Sequence, residues 1–264
     1  MPYRAAAVTI AAVAAGLAVA GCKFEVTMGS RTITNDANVS GPLSAVQLTA
    51  GGEGDIRIHT GPGTGAAIHR TIHYHGSRKP QPSQQVTNGV LTFVKGCGDC
   101  SIDYDLTVPA SVHVRIRNGG GSIRVADVAA ADIQAGSGDV NVRNVRGPVR
   151  AHTGSGSVRV DSVGAQNDLH TSSGDISAAA VHGGTLLANT GSGSLRLRFD
   201  AAPVNVRAVT GSGDLSIELP PGRYRIDSAT GSGDKNINVP EDPAATAMVY
   251  AKTGSGSLRV DTAD

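Results

Sequence analysis

A short sequence that reads Thr-Gly-Ser-Gly-Ser-Val-Arg-Val at residues 153–160 recurs along most of this chain. The second glycine of the recurring unit stands at Gly121, Gly138, Gly156, Gly174, Gly193, Gly213, Gly233 and Gly256. The intervals are therefore 17 to 23 residues, and a looser copy lies earlier, at 52–58. A fixed period of about 20 residues is typical of solenoids, in which each repeat is one structural unit stacked on the next.

The residues around each glycine pair alternate between apolar and polar, which predicts one short strand before the pair and one after it. In the copy at 153–160, Val149 and Ala151 share one face before the glycines, and Val158 and Val160 share one face after them. No segment beyond the first 22 residues has helical periodicity. The sequence therefore predicts an all-β fold: a parallel β-solenoid of the β-helix type, with two short strands per coil of 17–23 residues and two facing parallel sheets.

The same alternation predicts earlier strands at 43–50, 55–59, 66–74, 90–94, 101–108 and 112–117. Prolines and polar residues predict an exposed loop at 76–88. We divide the chain into a signal peptide (1–21), a tether with room for one edge strand (22–42) and a solenoid domain (43–264). In that domain, 43–117 are expected to form irregular capping coils and 118–264 the regular repeats. The last coil, 248–260, is expected to form an open edge.

Outward residues vary together from repeat to repeat, which indicates the register of the stack. Copies with serine after the second glycine carry Arg124, Arg159, Arg196 or Arg259 two residues later, whereas copies with aspartate carry Asn141, Ser177, Ser216 or Asn236. On the preceding strand the sign alternates through Arg115, Asp132, Arg150, Asp168, Arg207 and Asp227. Because like charges stacked about 4.8 Å apart would repel, this alternation predicts that successive repeats are neighbours in space.

Two inward positions complete the expected geometry. A threonine precedes most glycine pairs, as at Thr153, and its hydroxyl is expected to lie against the neighbouring coil. Lys235 interrupts the inward apolar column, and nothing in the sequence explains it.

Composition restricts the function class. A formal net charge of +1 argues against a nucleic-acid partner, which usually needs a basic patch. Thirty-five glycines and 3% aromatic residues are unusual for an enzyme with a conventional globular core and favour a thin β-stack.

The N-terminus reads as an export signal. Arg4 precedes an apolar run at 5–20 that is too short for a comfortable membrane span. Val-Ala-Gly-Cys at 19–22 resembles the lipobox of bacterial lipoproteins, which predicts lipidation of Cys22 and anchoring by buried acyl chains. The alternative is an ordinary secretory signal with a chance cysteine.

Cys97 and Cys100 form the remaining cysteine pair. In an exported protein such a pair favours a structural disulfide. A redox Cys-x-x-Cys centre or a metal site are the alternatives, but no helical pattern follows and no second cysteine pair exists.

Other candidate sites have ordinary interpretations beside them. The Gly-Asp turns resemble calcium-binding repeats, although an aspartate at a glycine turn more often accepts backbone amides. His59, His69, His73 and His75 form a cluster that suits zinc or copper, although exposed histidines are usually solvated. The outward aspartates alternate with arginine or serine and form no paired-acid cleft, so we expect no catalytic residues and no cofactor.

The repeat array, the lipobox and the segment Cys-Gly-Asp-Cys-Ser-Ile-Asp-Tyr-Asp-Leu-Thr-Val-Pro at 97–109 together resemble the DUF4097 family of bacterial β-strand-repeat proteins, labelled putative adhesins. The resemblance covers about residues 40–264. It implies a parallel β-solenoid at the cell envelope, and relatives are associated with envelope-stress sensing. It carries over no catalytic residue.

We therefore expect a non-catalytic lipoprotein on the outer face of the cell membrane, acting as a scaffold or adhesin. Its surface-contact ladder would be Arg124, Arg159, Arg196 and Arg259, with an envelope glycan, a lipid or a membrane protein as partner. An extracytoplasmic stress-sensor module acting with a membrane protein is the alternative, and a carbohydrate-active β-helix enzyme is a remote one.

Overall fold

The structure, a computed structural model, describes residues 29–164 and 166–263. These residues form 21 strands and no helix, so the described chain contains no helix that could span a bilayer. Most strands pair in parallel, and the sheet is open. The predicted all-β parallel solenoid is confirmed.

Each regular coil has one strand before the glycine turn and one after it, and each set of strands forms a parallel stack. The first stack contains β2 (Ala45–Glu53), β6 (Val90–Val94), β8 (His113–Gly120), β10 (Ala130–Ser137), β12 (Val149–Ser155), β14 (Gln166–Ser173), β18 (Arg225–Ser232) and β20 (Met248–Ser255). The second contains β3 (Ile56–Thr60), β7 (Cys100–Val108), β9 (Ile123–Ala126), β11 (Val140–Val145), β13 (Val158–Val163), β17 (Leu215–Leu219), β19 (Lys235–Asn238) and β21 (Leu258–Thr262). Two long strands, β15 (Ile176–Ser192) and β16 (Leu195–Ser212), bend from the second stack into the first.

Antiparallel strands cover the N-terminal end of the stack. β4 (Ala66–Tyr74) pairs with β7, and β1 (Arg31–Val39) pairs with β4 on the outside. β5 (Ser83–Thr87) pairs with β6. The prediction of a continuous loop at 76–88 was therefore wrong for β5, because the prolines at 80 and 82 precede the strand and do not interrupt it.

A buried arginine lies under this cover. The guanidinium of Arg70 is fully buried and donates hydrogen bonds of 2.7 Å to Asn35 Oδ1 and to Gln84 Oε1. Its Cζ lies 5.6 Å from the ring centroid of Phe93 and 5.8 Å from that of Tyr104, within the range of cation–π attraction. Burial lowers the pKa of Arg70 and raises the pKa of Tyr104.

The inward residues of both stacks form one hydrophobic core. Val149, Ala151, Val158 and Val160 are fully buried, as the alternation predicts. The threonine column lies at the end of this core. Thr153 Oγ1 donates to the carbonyl oxygen of the second glycine of the preceding coil at 3.2 Å, and the threonines of the later coils repeat this contact at 2.8–2.9 Å.

The coils do not follow one another in sequence order at the C-terminal end. β20 pairs with β16 on one side and with β18 on the other, and β21 pairs with β17 and with β19. The last coil (β20–β21) is therefore inserted between two earlier ones, and the coil β18–β19 is the outermost. The expectation that every repeat lies beside its sequence neighbour was wrong here, as was the expectation that 248–260 form the open edge.

The N-terminal end has the same arrangement. The coil β2–β3 pairs with β8–β9 on one side and with β6–β7 on the other. The chain therefore passes from an inner coil to an outer one and back at both ends of the stack.

This order explains Lys235, which lies in the outermost coil. It pairs with Leu258 in register, and its side chain is exposed at the position where inner coils carry a buried apolar residue. Ile226 and Ser228 of the same coil are only half-buried. A charged residue in an inward column at a sheet edge discourages further strand pairing, so Lys235 protects this edge.

The second glycine of each turn is required by backbone geometry. Gly156 has φ +128°, and a Cβ built there would overlap the carbonyl oxygen of Gly138 in the preceding coil. A Cβ at the first glycine, Gly154, would also meet a carbonyl oxygen, that of Gly136, but φ is not positive there and Ser172 occupies the same position in the neighbouring coil.

Replacing Gly156 by alanine is expected to destabilise the protein by about 1–3 kcal/mol, because alanine is strained at this φ and meets the Gly138 carbonyl. Gly154→Ser is the matched control: its Cβ also meets a carbonyl oxygen, that of Gly136, but its φ is not positive, so it should cost less. Urea unfolding of both variants checks this. Equal losses would show that the second glycine has no special role.

Replacing Lys235 by valine is expected to cause concentration-dependent association, because it removes the charge from the inward column of the edge coil. Lys79→Val places the same apolar side chain in an exposed loop and serves as the control. Analytical ultracentrifugation measures the association. A monomeric Lys235→Val protein at concentrations where wild type is also monomeric would contradict the proposed protection.

Candidate functional site

The outward face of the second stack carries two rows of polar side chains. We call the row directly after the glycine turns the aspartate–serine row: in spatial order Asp55, Ser122, Asp139, Ser157, Asp175, Ser194, Asp214, Ser257 and Asp234. Aspartate and serine alternate strictly in space. In sequence order they do not, because Asp214 is followed by Asp234, and Ser257 lies between these two aspartates only in space.

The aspartates hold the main chain of the following coil. Asp139 Oδ1 accepts a hydrogen bond of 2.8 Å from the amide of Ser157, and Asp55, Asp175 and Asp214 make the same contact to the next serine at 2.7–2.8 Å. This supports the interpretation of the Gly-Asp turns as amide acceptors rather than calcium ligands. At the N-terminal end Asp103 of β7 accepts the amide of Asp55 in the same way, so two aspartates are neighbours there and the alternation with serine stops.

Two residues along each strand lies a second row, which we call the arginine row. Its spatial order is Arg57, Arg124, Asn141, Arg159, Ser177, Arg196, Ser216, Arg259 and Asn236. All four arginines expected from the sequence are exposed and lie in this row. From Arg124 onward an arginine stands on every second coil, which places successive guanidinium groups about 10 Å apart.

The arginines at the ends of the row have carboxylate partners. Arg57 Nη1 lies 3.5 Å from Asp105 Oδ2, and Arg259 pairs with Asp261. Among the residues that the structure describes, Arg124, Arg159 and Arg196 form no ion pair. The central part of the row therefore presents three guanidinium groups whose donors are available to a ligand.

Shallow concavities follow the same row. Arg124 and Arg159 line a dimple of about 230 Å³ together with Asp139 and Asn141. Ser216 and Arg259 line a larger cleft of about 920 Å³ at the C-terminal end, which Pro220 and Pro221 border.

The carboxylate in that cleft is held ionised. Burial alone would raise the pKa of Asp261, but hydrogen bonds from Arg259 and Asn238, with the Arg259 charge, bring it below its usual value. The same hydrogen bond raises the pKa of Arg259. Arg259 is therefore neutralised locally and differs from the three central arginines.

On the first stack the sign alternation is only partly as expected. Arg115, Asp132, Arg150 and Asp168 are neighbours in register, and Arg115 Nε lies 3.2 Å from Asp132 Oδ2. Arg207 and Asp227 are not neighbours, because Tyr250 of the inserted last coil lies between them.

Tyr250 stacks with two cations on that surface. The Cζ of Arg207 lies 4.3 Å from its ring centroid, and Nζ of Lys252 lies 4.5 Å away. Hydrogen bonding to Lys252 lowers the pKa of Tyr250.

The histidine cluster is separated by strands and bonded to aspartates. His69 and His73 share the outward face of β4, as expected, but His59 lies on β3, with β7 between the two strands. Their ring nitrogens lie 2.6–3.3 Å from carboxylate oxygens: His69 from Asp36, His73 from Asp103 and His59 from Asp105. No group of three metal-ligating side chains occurs among the described residues.

The structure describes two of the three cysteines, Cys97 and Cys100. Cys97 and Cys100 lie in the corner between β6 and β7, with Cα atoms 6.1 Å apart and sulfur atoms in contact. The disulfide between them stays a prediction. Cys22 and the signal peptide fall outside the described residues.

Sequence reasoning found the four arginines but missed two members of the site. Arg57 lies in the same row, and the looser copy at 52–58 was the signal that could have placed it there. Arg198 lines the larger cleft, and no feature of its sequence position indicated this.

Asp139→Ala is expected to destabilise the protein by about 1–2 kcal/mol, because the Ser157 amide loses its acceptor. Asp139→Asn retains an acceptor oxygen and should cost less. Urea unfolding midpoints distinguish the two variants. If both variants were as stable as wild type, the coil-to-coil hydrogen bond would contribute nothing.

The solved structures that resemble this protein share little sequence with it. A protein of Bacteroides fragilis, described as a “putative adhesin”, is 14% identical, has a TM-score of 0.53 and covers 87% of this chain and 97% of its own. Two proteins of Parabacteroides distasonis, described as a “putative lipid binding protein” and a “putative adhesin”, are 13% and 10% identical, with TM-scores of 0.47 and 0.42. Each covers 87% of this chain, and 96% and 97% of its own chain respectively.

No functionally curated protein matches the sequence. The family model described as Toastrack DUF4097 matches residues 71–264, which is most of the chain and all of its regular repeats. The expected family is confirmed, and the chain belongs to the Toastrack DUF4097 family.

Proposed function

We propose that this protein is a non-catalytic binding module of the cell surface that holds an anionic envelope component on its arginine row. The observation that carries the proposal is the set of three exposed guanidinium groups, Arg124, Arg159 and Arg196, without ion pairs among the described residues. Guanidinium groups bind carboxylates and phosphates through paired hydrogen bonds, so an evenly spaced row suits a ligand with repeated anionic groups.

The row is built on a rigid support. Each arginine lies in a strand that pairs in parallel on both sides at that position, and the turn before it is fixed by an aspartate–amide hydrogen bond. A ligand therefore meets side chains on a main chain that is already ordered, which reduces the entropic cost of binding.

The carboxylates beside the three central arginines favour binding over hydrolysis. Glycoside hydrolysis needs a pair of carboxyl groups on either side of the scissile bond. Asp139 and Asp175 instead accept main-chain amides, and each lies in a row with serine between it and the next aspartate.

The proposed location at the cell surface is supported by the sequence and by a structural relative. The lipobox-like cysteine, Cys22, would anchor the protein on the outer face of the membrane, and the tether segment 22–42, which contains β1, would connect it to the solenoid. The relative from Bacteroides fragilis is described as a “putative adhesin”, which agrees with a surface role.

Replacing Arg124, Arg159 and Arg196 together by glutamine is expected to weaken binding to acidic polymers by about tenfold to a hundredfold, since each exposed ionic contact contributes about 0.5–1 kcal/mol. Binding of the full-length protein is measured by biolayer interferometry against immobilised hyaluronan, polygalacturonate and uncharged dextran, over a salt titration. Wild-type affinity should fall with salt, because exposed charges are screened.

The matched control replaces Arg117, Arg150 and Arg207 of the first stack by glutamine, which removes the same charge from the opposite face. It should retain most of the binding. If both triple variants lost the same affinity, binding would depend on net charge and not on the arginine row. If the wild-type protein bound none of the acidic polymers, the proposal would be contradicted.

A further inference from the structure

The spacing of the arginine row restricts the ligand beyond its charge. Arg124, Arg159 and Arg196 are separated by single coils that carry Asn141 and Ser177. Coils in a parallel stack are about 4.8 Å apart, so the free guanidinium groups repeat at about 10 Å along one straight line. A polymer that contacts all three needs anionic groups at the same interval.

The coils between the arginines add a second requirement for the ligand. The aspartate–serine row is out of phase with the arginine row, so Asp139 stands in the coil of Asn141 and Asp175 in the coil of Ser177. One oxygen of each aspartate accepts the main-chain amide of the next coil. The other oxygen can accept a hydrogen bond from a ligand hydroxyl.

These aspartates would also repel an anion placed between two arginines. A polymer with a charge on every unit would put every second charge beside Asp139 or Asp175. A polymer with a charge on alternate units would put a neutral unit there, and its hydroxyls could bond to the aspartate and to Asn141 or Ser177. The two rows together therefore select for alternation, by attraction at one coil and repulsion at the next.

We propose that the arginine row binds an extended acidic polysaccharide, laid along the axis of the stack, that carries one anionic group per disaccharide. The length of an extended disaccharide matches the two-coil interval, and the uncharged sugar supplies the hydroxyls. The shallow dimple between Arg124 and Arg159 is open at the surface, as a chain that runs past it requires. This inference rests on the binding function proposed above and adds the identity of the ligand class.

The test moves one arginine by one coil without changing the composition. The double variant Arg159→Ser with Ser177→Arg keeps the net charge and the side chains of the row but destroys the two-coil period. The control swap, Arg117→Gln with Gln134→Arg, makes the same exchange between adjacent coils on the first stack. Thermal midpoints of both variants establish that the fold is retained.

The probes are hyaluronan, which carries a carboxylate on alternate sugars, and polygalacturonate, which carries one on every sugar. Wild type is expected to bind hyaluronan at least about tenfold more tightly than polygalacturonate. The double variant on the arginine row should lose this preference, and the control swap should keep it.

The outcomes separate this inference from the proposed function. If the arginine-to-glutamine triple variant lost binding to both polymers while the double variant bound both as wild type does, the binding function would stand and the spacing inference would be overturned. If the triple variant bound both polymers as wild type does, both would be overturned.

Discussion

Main-chain hydrogen bonds between parallel coils support every other feature of this structure. In a parallel, in-register stack each residue lies directly beside its equivalent in the next coil, so one position in the repeat becomes one line on the surface. The inward lines form the core, the threonine line bonds to glycine carbonyls, and the arginine row is a line on the outer face. The candidate site is thus a property of the register and not of any single loop.

The stack must also prevent further strands from pairing with its two end coils. At one end, antiparallel β1, β4 and β5 cover the last parallel coil, with Arg70 bonded beneath them. At the other end Lys235 stands where the next coil would pack. Covering strands block further strand pairing at one end, and a charged side chain discourages it at the other.

Much of this architecture could be predicted from the sequence because the repeat exposes it. The apolar alternation around Val158 predicted the strands, and the spacing of the glycine turns predicted the length of a coil. The occurrence of serine and arginine in the same copies predicted the arginine row. The ion pairs of Arg57 and Arg259 could not be predicted, because Asp105 comes from a coil placed out of sequence order and Asp261 depends on the conformation of its own strand.

The order of the last two coils was wrong in the sequence-based prediction, although two signals pointed to it. Asp214 and Asp234 are consecutive aspartates in a series that otherwise alternates with serine, and Lys235 is a charge in an apolar column. Exchanging the last two coils restores the alternation and moves Lys235 to the edge. The side-chain pattern therefore carried the spatial order of the coils even where that order departs from the sequence.

The insertion of β20–β21 has a consequence for how the chain reaches its final form. In an ordinary solenoid the coils can be added one after another as the polypeptide emerges, and each contact joins neighbours in sequence. Here the outermost coil cannot take its place until the last residues of the chain have been made and have entered beneath it, so contacts at this end span longer stretches of sequence and form later. The stack at this end therefore stays incomplete until β20–β21 have packed between the two earlier coils.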